Sequence, residues 1–306
     1  MARTMDDVGL PRATTTEPPV KVRPFVARDV EVGAAILFDA FHELYDYHRF
    51  PGAYPNKQFT SKVLTGLVAN PSIWGVVARS GDLMVGSAFL DERGPIKGIG
   101  PVSVDPGAQA HGVGRCLMHA LLERAEGATS TRLLQDSFNR ASLALYASLG
   151  FEVREQVVLL VGRIRSAAQP NVEVRALGQD DIEECERLCL AVHGFERSNE
   201  LRDALEDPLC MPLLALKAGR VVAYATTLSY FPGAHAVAGT SADMRALILG
   251  AGNLVEGPVS FLLPTHQGKL LRWCLGERLR IVKPMTYMTI GEYRRPAGCW
   301  IPSLMY

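Results

Sequence analysis

The chain has 306 residues, 48% hydrophobic and 21% charged, and its 32 basic and 32 acidic side chains cancel to a formal net charge of zero. That length exceeds an ordinary single domain and holds enough apolar material for two cores. The charge balance excludes the basic footprint of a nucleic-acid binder or a polybasic membrane surface. The longest apolar runs, Val157 to Val161 and Val255 to Leu263, are too short to span a bilayer.

In chain order, residues 1–19 are rich in Thr, Pro, Asp and Arg and lack the apolar stretch of a secretory leader, so they read as a solvated tail on a cytoplasmic protein. Val20 to Arg23 alternates as a short strand. From Asp29 to Tyr47, Val30, Ala34, Leu37, Phe38, Phe41 and Leu44 recur at helical spacing, and a second helix is predicted from Lys57 to Ala69, stopped by Asn70-Pro71. Ile73 to Ala78 and Met84 to Leu90 read as strands joined by a Ser80-Gly81-Asp82 turn, followed by a strand from Lys97 to Val104. An amphipathic helix is predicted from Val113 to Glu126, then a strand near Arg132 to Gln135, a helix from Arg140 to Leu149, and one or two strands through Phe151 to Ile164.

Ser166 to Pro170 has the composition of a linker, after which the pattern restarts. Val20-Lys21-Val22-Arg23 is echoed by Val172-Glu173-Val174-Arg175, and Asp29-Val30-Glu31 by Asp181-Ile182-Glu183, both at a spacing of 152 residues. Farther on, Ser80-Gly81-Asp82 is matched by Ala218-Gly219-Arg220 at 138, so the second copy is shorter in its two-helix region. The reading is a duplicated α/β unit: tail 1–19, first domain 20–165, linker 166–170, second domain 171–306.

The six cysteines (Cys116, Cys185, Cys189, Cys210, Cys274, Cys299) lack the density and spacing of a disulfide framework and read as reduced thiols. Cys185, Cys189 and His193 share a helix face and could be metal ligands. Leu188 and Val192 lie on that face too and no fourth ligand stands nearby, so a core stripe is the preferred reading and no metal is expected.

The stretch that carries chemistry is Val102-Ser103-Val104-Asp105-Pro106-Gly107-Ala108-Gln109-Ala110-His111-Gly112-Val113-Gly114-Arg115, set between a strand and an amphipathic helix. A helix starting near Gly112 offers unpartnered N–H groups and the positive end of its dipole, which together favour a diphosphate. Glycine at 112 and 114 keeps β-carbons away from phosphate oxygens, and Arg115 adds charge at the rim. In its frame, Val-x-Val-x-Pro-x-x-Gln-x-x-Gly-x-Gly, this stretch resembles the acetyl-CoA signature of the GNAT acetyltransferases. Downstream, Asn139, Tyr146 and Gly150-Phe151 are similar in order and spacing to that family's second signature.

The resemblance covers residues 20–164 strongly and the second half in outline. It implies two tandem GNAT-like domains, each a mixed, mostly antiparallel twisted sheet flanked by helices. By resemblance, Val102, Ser103 and Val104 align pantetheine and the thioester. The loop Gln109, Ala110, His111, Gly112, Val113, Gly114 and Arg115 holds the pyrophosphate, and Asn139 and Ser142 flank the pantetheine arm. Tyr146 protonates the departing thiolate. The second copy lacks the Gln-x-x-Gly-x-Gly frame: its loop reads His235 to Arg245, Asp243 would repel phosphate, and Trp273 or Cys274 stands where the tyrosine should be. The implied activity is transfer of acetyl from acetyl-CoA to a small amine acceptor by a monomer or homodimer, with no nucleic-acid or membrane partner. A non-catalytic acyl-CoA sensor and a protein or peptide N-acetyltransferase are the alternatives.

An acceptor amine must lose a proton before it attacks. Candidate bases are Glu43, Asp46, His48, Asp91 and Glu92, and the aromatic cluster Phe41, Tyr45, Tyr47, His48, Phe50 and Tyr54 either walls an acceptor pocket or packs the two-helix region. The apolar C-terminal segment Gly298 to Tyr306 is expected to be tied down, either on the second domain's sheet or in the cleft between the halves, where the terminal carboxylate could face the acceptor.

Overall fold

A computed structural model describes residues 19–305; the expected tail lies outside them except for Pro19, as does Tyr306. In chain order the first half runs β1 (Val20–Pro24), α1 (Val30–His48), α2 (Lys57–Ala69), β2 (Ile73–Ser80), β3 (Leu83–Asp91), β4 (Ile96–Val104), α3 (Val113–Arg124), β5 (Ser130–Asp136), α4 (Arg140–Ser148) and β6 (Glu152–Gly162). The second half repeats the order with β7 (Glu173–Ala176), α5 (Ile182–His193), α6 (Ser198–Glu206), β8 (Leu213–Lys217), β9 (Arg220–Ala225), β10 (Ala236–Ala238), α7 (Ser241–Leu254), β11 (Val259–Pro264), α8 (Gly268–Gly276), β12 (Arg280–Gly291) and β13 (Cys299–Ile301). The 19 and 13 residues of α1 and α2 become 12 and 9 in α5 and α6, which is where the repeat spacing contracts. None of the helices among the described residues is long and apolar enough to cross a membrane.

The duplication is visible at atomic detail. Arg23 donates two hydrogen bonds to the carboxylate of Asp29, both at 2.7 Å, and the Val26 N–H donates to the same group at 2.9 Å. Arg175, Asp181 and the Gly178 N–H repeat this clamp with the same three distances. Each clamp locks the end of a first strand to the turn that starts a helix, and the arginine holds each aspartate below its ordinary range.

The strands form an eight-stranded sheet, ordered β1-β2-β3-β4-β5-β12-β6-β11, and a five-stranded sheet, ordered β13-β10-β9-β8-β7. All pairings are antiparallel except the parallel pair β4–β5. Residues 166–170 lie between β6 and β7, and the large sheet joins strands from both sides of them. β12 lies between β5 and β6 of the first half, while β6 lies between β11 and β12 of the second. Each half therefore lends a strand, β6 or β12, to the other. The cores follow: Met288 of β12 packs with Val76, Leu117 and Phe151 of the first half, and Val158 and Leu160 of β6 pack with Leu247 and Phe261 of the second. Burial of each such side chain is worth about 1.5–3 kcal/mol.

Candidate functional site

Two strands make the cleft by parting. β4 and β5 pair only from Ile96 to Ile99 against Ser130 to Leu133. Beyond Ile99 they diverge, so the β4 edge from Gly100 to Val104 opens into a cavity of about 660 Å³. At one end this cavity meets the start of α3. The N-cap, Gly112, has φ of 80°, a left-handed conformation natural to glycine, and no side chain caps the helix. Val113, Gly114 and Arg115 line the cavity there, with the first-turn N–H groups and the positive end of the helix dipole beside it. Gln109 steadies the loop by donating to the Val104 carbonyl at 3.3 Å.

The second half treats the equivalent elements differently. The Thr240 side chain accepts the Asp243 N–H and donates to the Asp243 carboxylate at 2.6 Å, so α7 begins on its own side-chain cap with an anion in its first turn. The edge of β10 that corresponds to the open edge of β4 is covered by β13, through Ala236 to Ala238 against Ile301 to Cys299. The missing motif is thus matched by a missing opening.

Of the residues expected from the sequence, the cavity brings together Val102, Ser103, Val104, Gln109, Ala110, Gly112, Val113, Gly114, Arg115, Asn139, Ser142 and Tyr146. His111 is not among its lining residues. Several of these side chains have local work. The Asn139 side chain caps α4 by accepting the Ser142 N–H at Oδ1, the Ser142 hydroxyl donates to Gln135, and Arg115 donates to Ser148. A β-carbon on Gly114 would meet Leu145 Cδ2 at 3.2 Å, so this glycine serves the contact of α3 with α4 as well as the loop. Tyr146 is buried against Phe151, and burial pushes its phenol above the ordinary range.

The candidate bases separate. Glu43 stands exposed at the cavity rim, whereas Asp46 pairs with His42 on the surface and His48 packs on Phe138. Asp91 is bound by Arg93 and Glu92 by Arg124, away from the cavity lining. Among the aromatics, Phe41, Tyr45, Tyr47 and Tyr54 line the cavity; Phe50 stacks on Phe138 outside it.

Sequence reasoning missed a buried polar cluster in the cavity wall. Asp136, at the end of β5, accepts from the Tyr45 hydroxyl at 2.8 Å and pairs with Lys283 of β12 at 2.7 Å. Lys283 also contacts the Tyr45 hydroxyl, and its ammonium lies over the Tyr45 and Phe231 rings at 4.8 and 5.3 Å. Burial lowers the lysine's pKa, opposed by Asp136. The signal for Asp136 was a carboxylate at the end of an apolar strand. For Lys283 there was none, because only the strand exchange brings β12 here.

Phe231, Pro232 and Leu304 complete the wall from the second half. The C-terminal segment is tied down in both of the expected places. β13 joins the smaller sheet, and beyond it Ser303 donates to Glu200, the Leu304 N–H donates to Pro232, and Leu304 reaches the cavity. The Tyr306 carboxylate lies outside the described residues.

The cysteines are free thiols. The helix face of α5 contributes Cys189 and His193, but not Cys185, to a buried group completed by His235 of the second half, with candidate ligand atoms within 4.8 Å of one another. Burial pushes the Cys189 thiol up to about 11 and both imidazoles well below their usual value. The positive charge of Arg197 lowers both imidazoles further and acts against a cation there.

Residues 71–153 match the family described as acetyltransferase (GNAT) domain. Over 89 residues the chain is 38% identical to the N-alpha-acetyltransferase RimI of Mycobacterium tuberculosis, an alignment that spans 28% of this chain and 56% of that relative. Among solved structures, a Pyrococcus horikoshii protein assigned as an acetyltransferase superposes with a TM-score of 0.71 at 18% identity, covering 90% of each chain. A tandem GNAT protein from the clavulanic acid biosynthesis pathway superposes with a TM-score of 0.57 at 14% identity, covering 93% of this chain and 100% of its own. The chain thus carries a GNAT acetyltransferase domain, and over its whole length it has the fold of a tandem GNAT protein.

Proposed function

We propose that the first half binds acetyl-CoA and transfers its acetyl group to the amine of a small acceptor, while the second half is silent toward acetyl-CoA and shapes the acceptor pocket. The observation that carries this reading is one cavity joining an uncapped helix start, an open strand edge and a buried tyrosine. In this reading the N–H groups from Gln109 to Arg115 hold the pyrophosphate, and the β4 edge from Val102 to Val104 aligns pantetheine and thioester, with Asn139 and Ser142 beside them. The neutral acceptor nitrogen attacks the thioester carbonyl carbon, so a C–N bond forms as the C–S bond breaks. Tyr146 keeps its proton across neutral pH and gives it to the leaving thiolate, and the nitrogen releases its own proton to a base on the acceptor side.

A small acceptor is favoured because Phe231, Pro232 and Leu304 of the second half wall the pocket together with α1. The likeness to an N-alpha-acetyltransferase favours a second reading, a peptide N-terminus as acceptor. Calorimetric titration with acetyl-CoA tests the donor site: one site per chain is expected, abolished by Gly112→Asp, which combines an anion with an unfavourable φ. Coenzyme A release across small amines and short peptides then separates the two acceptors. No binding of acetyl-CoA removes the enzymatic reading altogether.

A further inference from the structure

Asp136 and Lys283 present a feature that neither stability nor acetyl-CoA binding explains. Their charged groups are 2.7 Å apart, with side chains only 6% and 5% exposed, and both line the cavity. A buried ion pair rarely beats an apolar pair of similar volume in stability, because both ions must leave water. The site is also assembled from afar: β5 supplies the acid, and β12, entering from the second half opposite it, supplies the base, with Met285 facing Asp136 in register. The pair shares the cavity lining with Tyr45, Tyr54 and Phe231, and the phenols of Tyr45, Tyr54 and Tyr146 are pushed up by burial first and by the charge of Asp136 in addition. The carboxylate shares the cavity lining with Tyr146 and with the acceptor-side residues Tyr54 and Phe231.

We propose that Asp136 and Lys283 form a charge couple that recognises a zwitterionic acceptor, an α-amino acid with an apolar or aromatic side chain, by pairing its ammonium with Asp136 and its carboxylate with Lys283. This rests on the acetyl-transfer reading and specifies its acceptor. The reason is charge balance in a buried site. A simple amine, arriving as an ammonium, competes with Lys283 for one carboxylate and leaves two buried cations sharing it. A compound carrying both charges supplies a partner for each side chain, and the four groups close a neutral ring. Glu43, the other acid on the acceptor side of the lining, stands exposed at the rim, where water screens it. Phe41, Tyr54 and Phe231 leave an apolar space for the side chain.

The test compares phenylalanine, leucine and methionine with their methyl esters and with the amines that lack the carboxylate, by coenzyme A release and by calorimetric titration into the full-length protein saturated with coenzyme A. The free amino acid is expected to exceed its ester and its decarboxylated amine about ten- to hundredfold in kcat/KM and in affinity, the range for a hydrogen bond to a charged group. Lys283→Met is expected to collapse that ratio towards one. Because this change strands Asp136, the double variant Asp136→Asn with Lys283→Met, which keeps no buried charge, is measured beside it, and the wild-type ratios need no variant. Equal or better use of esters or simple amines, or an unchanged ratio in the variants, overturns the proposal while acetyl transfer stands. If acetyl-CoA itself fails to bind, the enzymatic reading falls; if coenzyme A binds but no amino acid does, the zwitterion proposal falls alone.

Discussion

Tyr146 is packed against Phe151 and lines the cavity, so Tyr146→Phe keeps the ring and removes only the hydroxyl. Turnover is expected to fall about 100-fold. Acetyl-CoA affinity, read by calorimetry beside steady-state kinetics, should change by less than about twofold, and an equal loss of both would sink the proton-donor role. Gly98 makes a second prediction, since a β-carbon there would lie 2.0 Å from the Met305 carbonyl oxygen and 2.6 Å from its carbon. Backbone cannot yield as a side-chain tip can, so Gly98→Ala should displace the C-terminal segment, loosen the Leu304 wall and raise acceptor KM about tenfold at unchanged acetyl-CoA affinity. Retention of wild-type KM would mean that Leu304 does not shape the pocket. At this scale the sequence exposed what is local. The Gln109 to Arg115 loop and Tyr146 sit in contiguous patterns, each tied to one strand–helix junction. Asp136 and Lys283 meet across a strand pairing that no nearby residue announces, and His111 falls at an unspecified position of the frame and does not line the cavity.

The repeated Arg23–Asp29 and Arg175–Asp181 clamps bind strand to helix start in the two halves with the same geometry. The first is better shielded, with its carboxylate side chain 9% exposed against 17%. Asp29→Asn should cost about 1 kcal/mol in a urea titration and Asp181→Asn somewhat less, because solvent screens the second pair more. Both aspartates have folded values below their unfolded ones. Their contribution is therefore complete above the unfolded value of about 3.9 and disappears as pH falls through the lowered folded values. The stability gap between the protein and the double variant should be full at pH 6 and should narrow as pH falls below about 3.9; a gap that does not narrow means that the ion pairs do not supply it. Elements were largely legible from periodicity. The predicted span Lys57 to Ala69 is α2 itself, and the others differ by a residue or a few at their ends. The partner of each strand was not legible, because alternation in β12 shows that two faces differ but not which neighbours flank it.

Across the whole molecule, His193 and His235 are buried in the second half, where burial and the positive charge of Arg197 hold both well below the usual imidazole value. Arg132 acts on the first and Arg93 on the second in the same sense. The unfolded chain takes up protons below about pH 6.5 that the folded protein refuses, so stability should fall on acidification by about 1.4 kcal/mol per pH unit for each histidine. Thermal unfolding between pH 7 and pH 5 checks this. A midpoint that does not move would show that the imidazoles are protonated in the folded state. The exchange of β6 and β12 reaches further, into the order in which the protein can be made. A ribosome releases β5 and β6 long before β12, so the lane between them stays vacant until Gly291 has emerged. At about 5–20 residues per second that wait lasts on the order of ten seconds. Throughout it the apolar run Val157 to Val161 has no partner on its β12 side. A segment of that composition on an open edge is an aggregation hazard, and the nascent chain carries it until its own second half arrives.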